Sequence, residues 1–155
     1  FSGVVDLMGI RFDYPEDQVI SKRWLGAGPY RVWQNRIHGT QYDVWENDYN
    51  DPIPGETFTY PEFKGYFADV SWMNIQTKEG TINLTNETPD AYIGVYQPRD
   101  GRDRLLYTLP ESGISVLNVI PPVRNKVNST DLCGPSSQPK WVNGPQTGRV
   151  IFRFM

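Results

Sequence analysis

The chain has 155 residues, a formal net charge of −3, 38% hydrophobic side chains and an aromatic share of 14%. That length suits one domain, able to bury roughly 70% of its unfolded surface without staples. It holds no apolar run of the roughly 18 residues a membrane helix needs, and its acidic balance without a basic stripe argues against a nucleic-acid partner. The single Cys133 excludes an intramolecular disulfide and a multi-thiolate zinc site. No charged segment followed by an apolar one opens the chain, so no signal peptide is expected. The start at Phe1 reads as a processed product or an excised piece.

In chain order, strand-like runs recur and helix signals are nearly absent. The 13 Pro and 14 Gly are spread so that no sustained i, i+3, i+4 apolar pattern survives. The runs are VVDLMGIRFDY (4–14), QYDVWE (41–46), YFADVSWMNIQT (66–77), GTINLTN (80–86), AYIGVYQ (91–97), RLLYTL (104–109), ISVLNVI (114–120) and RVIFRFM (149–155). Turn clusters separate them: Lys78-Glu79-Gly80, Thr88-Pro89-Asp90, Arg99-Asp100-Gly101 and Pro110-Glu111-Ser112-Gly113. Short strands with this punctuation predict one all-β domain over 1–155, an antiparallel sandwich with negligible helix. Two segments read as long loops: residues 23–40, and the Pro-, Asn- and Ser-rich stretch 121–147.

Catalytic chemistry finds little footing. Asp43, Glu46, Asp48, Asp51, Glu56 and Glu62 could supply the carboxylate pair of a glycosidase, but their spacing does not make any two converge, and solvated loop acids are the plainer reading. His38 is the only imidazole and has no Gly-x-Ser-x-Gly elbow beside it, so it reads as a loop hydrogen-bonder. GAGPYR lacks the Lys-Ser/Thr ending of a phosphate loop. No metal site and no cofactor are therefore expected. Asn83, Asn86 and Asn128 match the short Asn-x-Ser/Thr acceptor pattern.

The aromatic loop carries more. Trp24, Tyr30, Trp33, Tyr42 and Trp45 fall close together, among Arg31, Asn35 and Arg36. Sugar rings stack apolar faces on aromatics while amides and guanidinium groups meet hydroxyls, so this set suits a carbohydrate surface. The competing reading makes Trp24 and Trp45 core residues of neighbouring strands. FTYPEFKGY (58–66) forms a second aromatic loop around Tyr60, Pro61 and Phe63.

Read together, WLGAGPYRVWQNR, GTQYDVWENDYND and YPEFKGYFADVSWMNI resemble the C-terminal β-supersandwich domain, galactose-mutarotase-like, of family 2 β-galactosidases. Trp24, Gly26, Gly28, Pro29, Trp33, Asn35 and Arg36 match that family's Trp-Leu/Phe-Gly-x-Gly-Pro stretch and its sequel, and Tyr60, Pro61 and Gly65 match its aromatic-Pro-x-x-x-Gly segment. The resemblance implies a non-catalytic accessory domain. Its partners would be a (β/α)8 barrel carrying the two catalytic Glu residues, the other domains of a longer chain, and carbohydrate. It further implies that Gly26, Gly28, Pro29, Tyr30, Trp33, Asn35 and Arg36 form a substrate-cleft loop, and that the parent is an exported bacterial enzyme hydrolysing O-glycosidic bonds. The glycines are expected to free the backbone, and the following rings to face outward. Val116 stands where relatives often place a Trp beneath the sugar, and PYRVWQNR departs from the usual Asn-Tyr-x-Asp-Arg, so the sugar is left open. A purely structural sandwich and an autonomous carbohydrate-binding module are the alternatives.

Overall fold

A computed structural model describes residues 1–48, 65–96, 113–122 and 134–155. The predicted strand at 104–109, the Tyr60–Pro61–Phe63 loop, the turn at 99–101, and Asp51, Glu56, Glu62, Asn128 and Cys133 lie outside those residues. Ten strands are present among the described residues: β1 (Ser2–Val5), β2 (Met8–Phe12), β3 (Val19–Gly28), β4 (Gln41–Asp48), β5 (Trp72–Thr77), β6 (Thr81–Asn86), β7 (Tyr92–Val95), β8 (Ile114–Val119), β9 (Lys140–Asn143) and β10 (Val150–Phe154). The only helical turns among them are the three-residue 3-10 turns Glu16–Gln18 and Pro135–Ser137. The all-β expectation holds.

The strands form three antiparallel sheets, ordered β10-β6-β5-β3-β4, β2-β8-β7 and β1-β9. Alternation explains the main core: Met73 and Ile75 on β5, Ile82 and Leu84 on β6, and Trp24 on β3 face Ile93 and Val95 on β7 and Ile114 and Val116 on β8. Phe67 lies between the layers, edge-on to Trp24 with ring centroids 4.7 Å apart. A second cluster, Ala27, Val32, Tyr66, Ala68, Leu117 and Ile120, packs beside the end of β3.

Three sequence expectations fail here. Residues 23–28 are the second half of β3, not the start of a loop. Two glycines and burial on both faces erase the alternation that would have revealed the strand, yet β4 and β5 pair along it on either side. Likewise β9 interrupts the predicted 121–147 loop, because its partner β1 lies at the other end of the chain. The 4–14 run is also broken, into β1 and β2, which join different sheets. Lys78-Glu79-Gly80 does close the β5–β6 hairpin, with Gly80 at φ +150 and the Thr77 hydroxyl bonded to the Gly80 carbonyl.

The face of the five-stranded sheet turned away from the core carries two rows that cross every strand. Ladder register aligns Val44, Leu25, Trp72, Thr85 and Ile151 in one row, largely apolar. The neighbouring row runs Glu46, Arg23, Asn74, Asn83 and Arg153. Neither core cluster includes Leu25, Val44, Trp72 or Ile151.

Candidate functional site

The segment read as a cleft loop is delivered by the end of β3. Trp24 is 0% exposed and donates its indole N–H to the Ala27 carbonyl at 3.1 Å, so it belongs to the core, as the plainer reading held. Trp45, opposite it on β4, packs half-buried against the same core and donates from Nε1 toward the Gly26 and Gln41 carbonyls, both at 3.2 Å.

Gly26 and Gly28 do a different job from the one expected. Both lie in extended strand, and neither has positive φ. What they provide is room. A Cβ on Gly28 would sit 2.4 Å from Cδ1 of Trp45, and one on Gly26 would sit 2.9 Å from the Val70 Cα and 3.0 Å from the Ala68 carbonyl oxygen. Glycine inside a strand marks such a close approach. Pro29 follows through a cis Gly28–Pro29 peptide bond.

Beyond Pro29 the chain is pinned, residue by residue. Arg31 is buried, donates from Nη1 to the Tyr96 carbonyl at 2.6 Å, and lies 4.9 Å from the Phe67 ring centre. The buried Lys22 approaches the same ring at 5.6 Å while donating to the Asp48 carbonyl. Val32 exchanges two backbone bonds with Tyr66 at 2.7 and 2.9 Å, made possible because Gly65 has no side chain: a Cβ there would meet the Val32 oxygen at 2.3 Å. Trp33 and Arg36 close a tight turn by exchanging backbone bonds. Asn35 donates to the Ser137 hydroxyl at 3.1 Å.

Trp33 corrects the expectation that it faces outward. It is 7% exposed and packs edge-on against Tyr66, ring centroids 6.1 Å apart. Its indole Nε1 is buried with no hydrogen-bond partner, as is Oε1 of the adjacent Gln34. Tyr30 is the ring at the surface, 37% exposed, and Arg36, Ile37 and His38 are exposed beside it along the loop. Burial pushes the Tyr66 hydroxyl up to about 12, against the opposing pull of Arg31. Val116, expected at a sugar site from the resemblance, is 6% exposed between the sheets, opposite Ile10 and Ile93, and cannot line a surface cleft.

A concavity that the sequence did not announce lies next to Gly26. It has a volume of about 310 Å³ and is lined by residues 69–71 and 86–91. Because Gly26 lets the 68–70 backbone close onto β3, the motif glycine also positions this wall. Asp69 and Asp90 line it at φ +51 and +56, a conformation L-residues seldom adopt. Asn86 braces it, donating to the Val70 and Thr88 carbonyls and accepting from the Thr88 N–H. Tyr42 reaches it through a 2.6 Å bond with Ser71. Burial first, then the charges of Asp69 and Asp90, raise the Tyr92 hydroxyl above its ordinary value. The lining offers hydroxyl, amide and carboxylate groups. Only Thr88-Pro89-Asp90 was visible beforehand, as a turn.

Among the described acids, Asp43 points to the opposite face of β4 from Glu46 and Asp48, so the strand does not bring Asp43 together with either. Among the described residues no three His, Cys, Asp or Glu side chains group as metal ligands. Both described acceptor-pattern asparagines have their amide nitrogens engaged or enclosed: Asn86 through its two bonds, Asn83 by burial of Nδ2. Comparison with known protein families, curated proteins and solved structures finds no match.

Proposed function

We propose that this chain is a non-catalytic accessory β-sandwich domain of a β-galactosidase-like glycoside hydrolase, packing on a (β/α)8 catalytic barrel and lending a loop to its carbohydrate cleft. The observation that carries the reading is the construction of the 29–36 segment. Its inner side chains, Arg31, Val32 and Trp33, are buried, while Tyr30 and Arg36 stand at the surface on a backbone tied to Tyr66 and, through Gln34, to Pro121. A loop held on a fixed backbone with a ring at its surface suits a partly formed sugar site, since prior positioning lowers the entropy lost on binding. The ordered motif Trp24, Gly26, Gly28, Pro29, Trp33, Asn35, Arg36 supports the same assignment by resemblance.

The test is made in the parent enzyme. Tyr30→Ala should raise KM or lower kcat for the natural glycoside and leave the melting temperature nearly unchanged, as surface substitutions do, and Arg36→Ala should have the same kinetic effect. The chain by itself should hydrolyse no aryl glycoside. Unchanged kinetics in both variants, or the absence of a barrel region with paired Glu encoded upstream of Phe1, would refute the assignment.

A further inference from the structure

We propose that the outward face of the five-stranded sheet is a dimerisation surface that fits a second copy of this chain. The inference does not depend on the accessory-domain reading. It rests on the order of the two rows that cross the sheet. The polar row starts at Glu46 on edge strand β4 and ends at Arg153 on edge strand β10. Both side chains are exposed, and neither takes part in an ion pair among the described residues, where the pairs formed are Arg11–Asp13 and Arg149–Glu87. Within the row Glu46 has Arg23 across the ladder, whereas Arg153 has only Asn83 beside it, so Arg153 is left without an acidic neighbour in the row and Glu46 lies four strands away from it within a protomer.

A two-fold axis lying along central strand β5 brings them together. Rotation about that axis keeps each residue's height along the strands and exchanges the two edges, so β4 of one copy lies over β10 of the other. Glu46 then faces the partner copy's arginine at position 153, twice per dimer, and Val44 faces the isoleucine at 151. Trp72 stacks near its own counterpart on the axis. Such an interface is isologous, the form closed dimers take. Two sheets packed face to face lie about 10 Å apart and cross at roughly −30°, an offset that the long Glu and Arg side chains can span. Five strands at about 4.8 Å and six residues at about 3.4 Å give a face of on the order of 500 Å² in projection. Side-chain relief brings this toward the roughly 800 Å² per partner of a standard interface. The association is therefore of moderate strength, driven by the Trp72 row and held in register by the edge charges.

Sedimentation velocity over a concentration series tests this. The chain should pass from monomer to dimer, and Glu46→Arg or Arg153→Glu alone should raise the dimer dissociation constant by tenfold or more, because each creates two like-charge contacts. The double variant Glu46→Arg/Arg153→Glu restores opposite charges and should recover the dimer. Circular dichroism confirms that each variant is folded. A chain that stays monomeric throughout, a dimer indifferent to the single reversals, or a double variant that fails to recover would each overturn the proposal. An oligosaccharide that quenches Trp72 in a monomeric chain would overturn it too, by showing the face to be a glycan platform.

Discussion

Replacing Trp33 with Ala separates a ring that supports the loop from a ring that serves a ligand. The side chain is 7% exposed and packs edge-on against Tyr66. Truncating a buried Trp to Ala costs about 3–5 kcal/mol when the cavity does not collapse. Part of that is returned, because the indole Nε1 is buried without a partner and its removal relieves a cost of about 1–3 kcal/mol. The backbone bonds between Trp33 and Arg36 survive the substitution. The expected net loss is about 2–3 kcal/mol. At about 2.1 cal/mol/K per residue, unfolding entropy for a chain of this size is roughly 0.3 kcal/mol/K, so the melting temperature should fall by about 6–9 °C. Tyr30→Ala, at the surface of the same loop, should move it by no more than about 2 °C. Differential scanning calorimetry on both variants measures the contrast, and urea denaturation gives an independent free energy. A Trp33→Ala variant as stable as Tyr30→Ala would refute the structural role of Trp33 and restore the outward-facing expectation.

Raising the pH should destabilise the fold in a window set by two tyrosines. Burial pushes both Tyr66 and Tyr96 up to about 12 from an ordinary value of 10.0. Between those values the unfolded chain has released protons that the native chain retains, so stability is complete below about pH 10 and falls as pH rises toward about 12, by up to about 2–3 kcal/mol for Tyr66 and by less for Tyr96, whose shallower setting leaves it screened by solvent. Tyr66→Phe should flatten that fall in denaturation midpoints measured across the window; an unchanged slope would count against it. Gly65→Ala should be severely destabilising, because the new Cβ would meet the Val32 backbone oxygen at 2.3 Å, whereas Gly134→Ala, with open space around it, should be neutral or slightly stabilising. Equal midpoints for these two variants would contradict the packing described. Gly28→Ala should displace the Trp45 ring, readable as a change in its fluorescence, and a spectrum identical to the parent protein's would argue against the contact.

Local pattern in the sequence determined the class of this protein. A strand's period of two residues, and the Gly, Pro, Asn and Asp that end it, are properties of neighbouring residues. Hence β4, β5, β6, β7, β8 and β10, and the β5–β6 turn, were legible before any coordinates. The Trp24 and Trp45 pairing was also accessible as one of two readings. Contacts between distant segments decided the rest. β3 is a strand despite Gly26 and Gly28 because ladders on both sides hold it, and β9 exists because β1 pairs with it from the other end of the chain. Whether Trp33 faces solvent or Tyr66 depends on the Val32–Tyr66 bridge, which Gly65 permits from more than thirty positions away. The polar cleft depends on two turns, 69–71 and 87–91, meeting beside Gly26. The charged row was hidden for a related reason: its members are spread over five strands, and only the registers between strands set Glu46 and Arg153 at one height. Burial and register are relations between segments, and a one-dimensional pattern does not contain them.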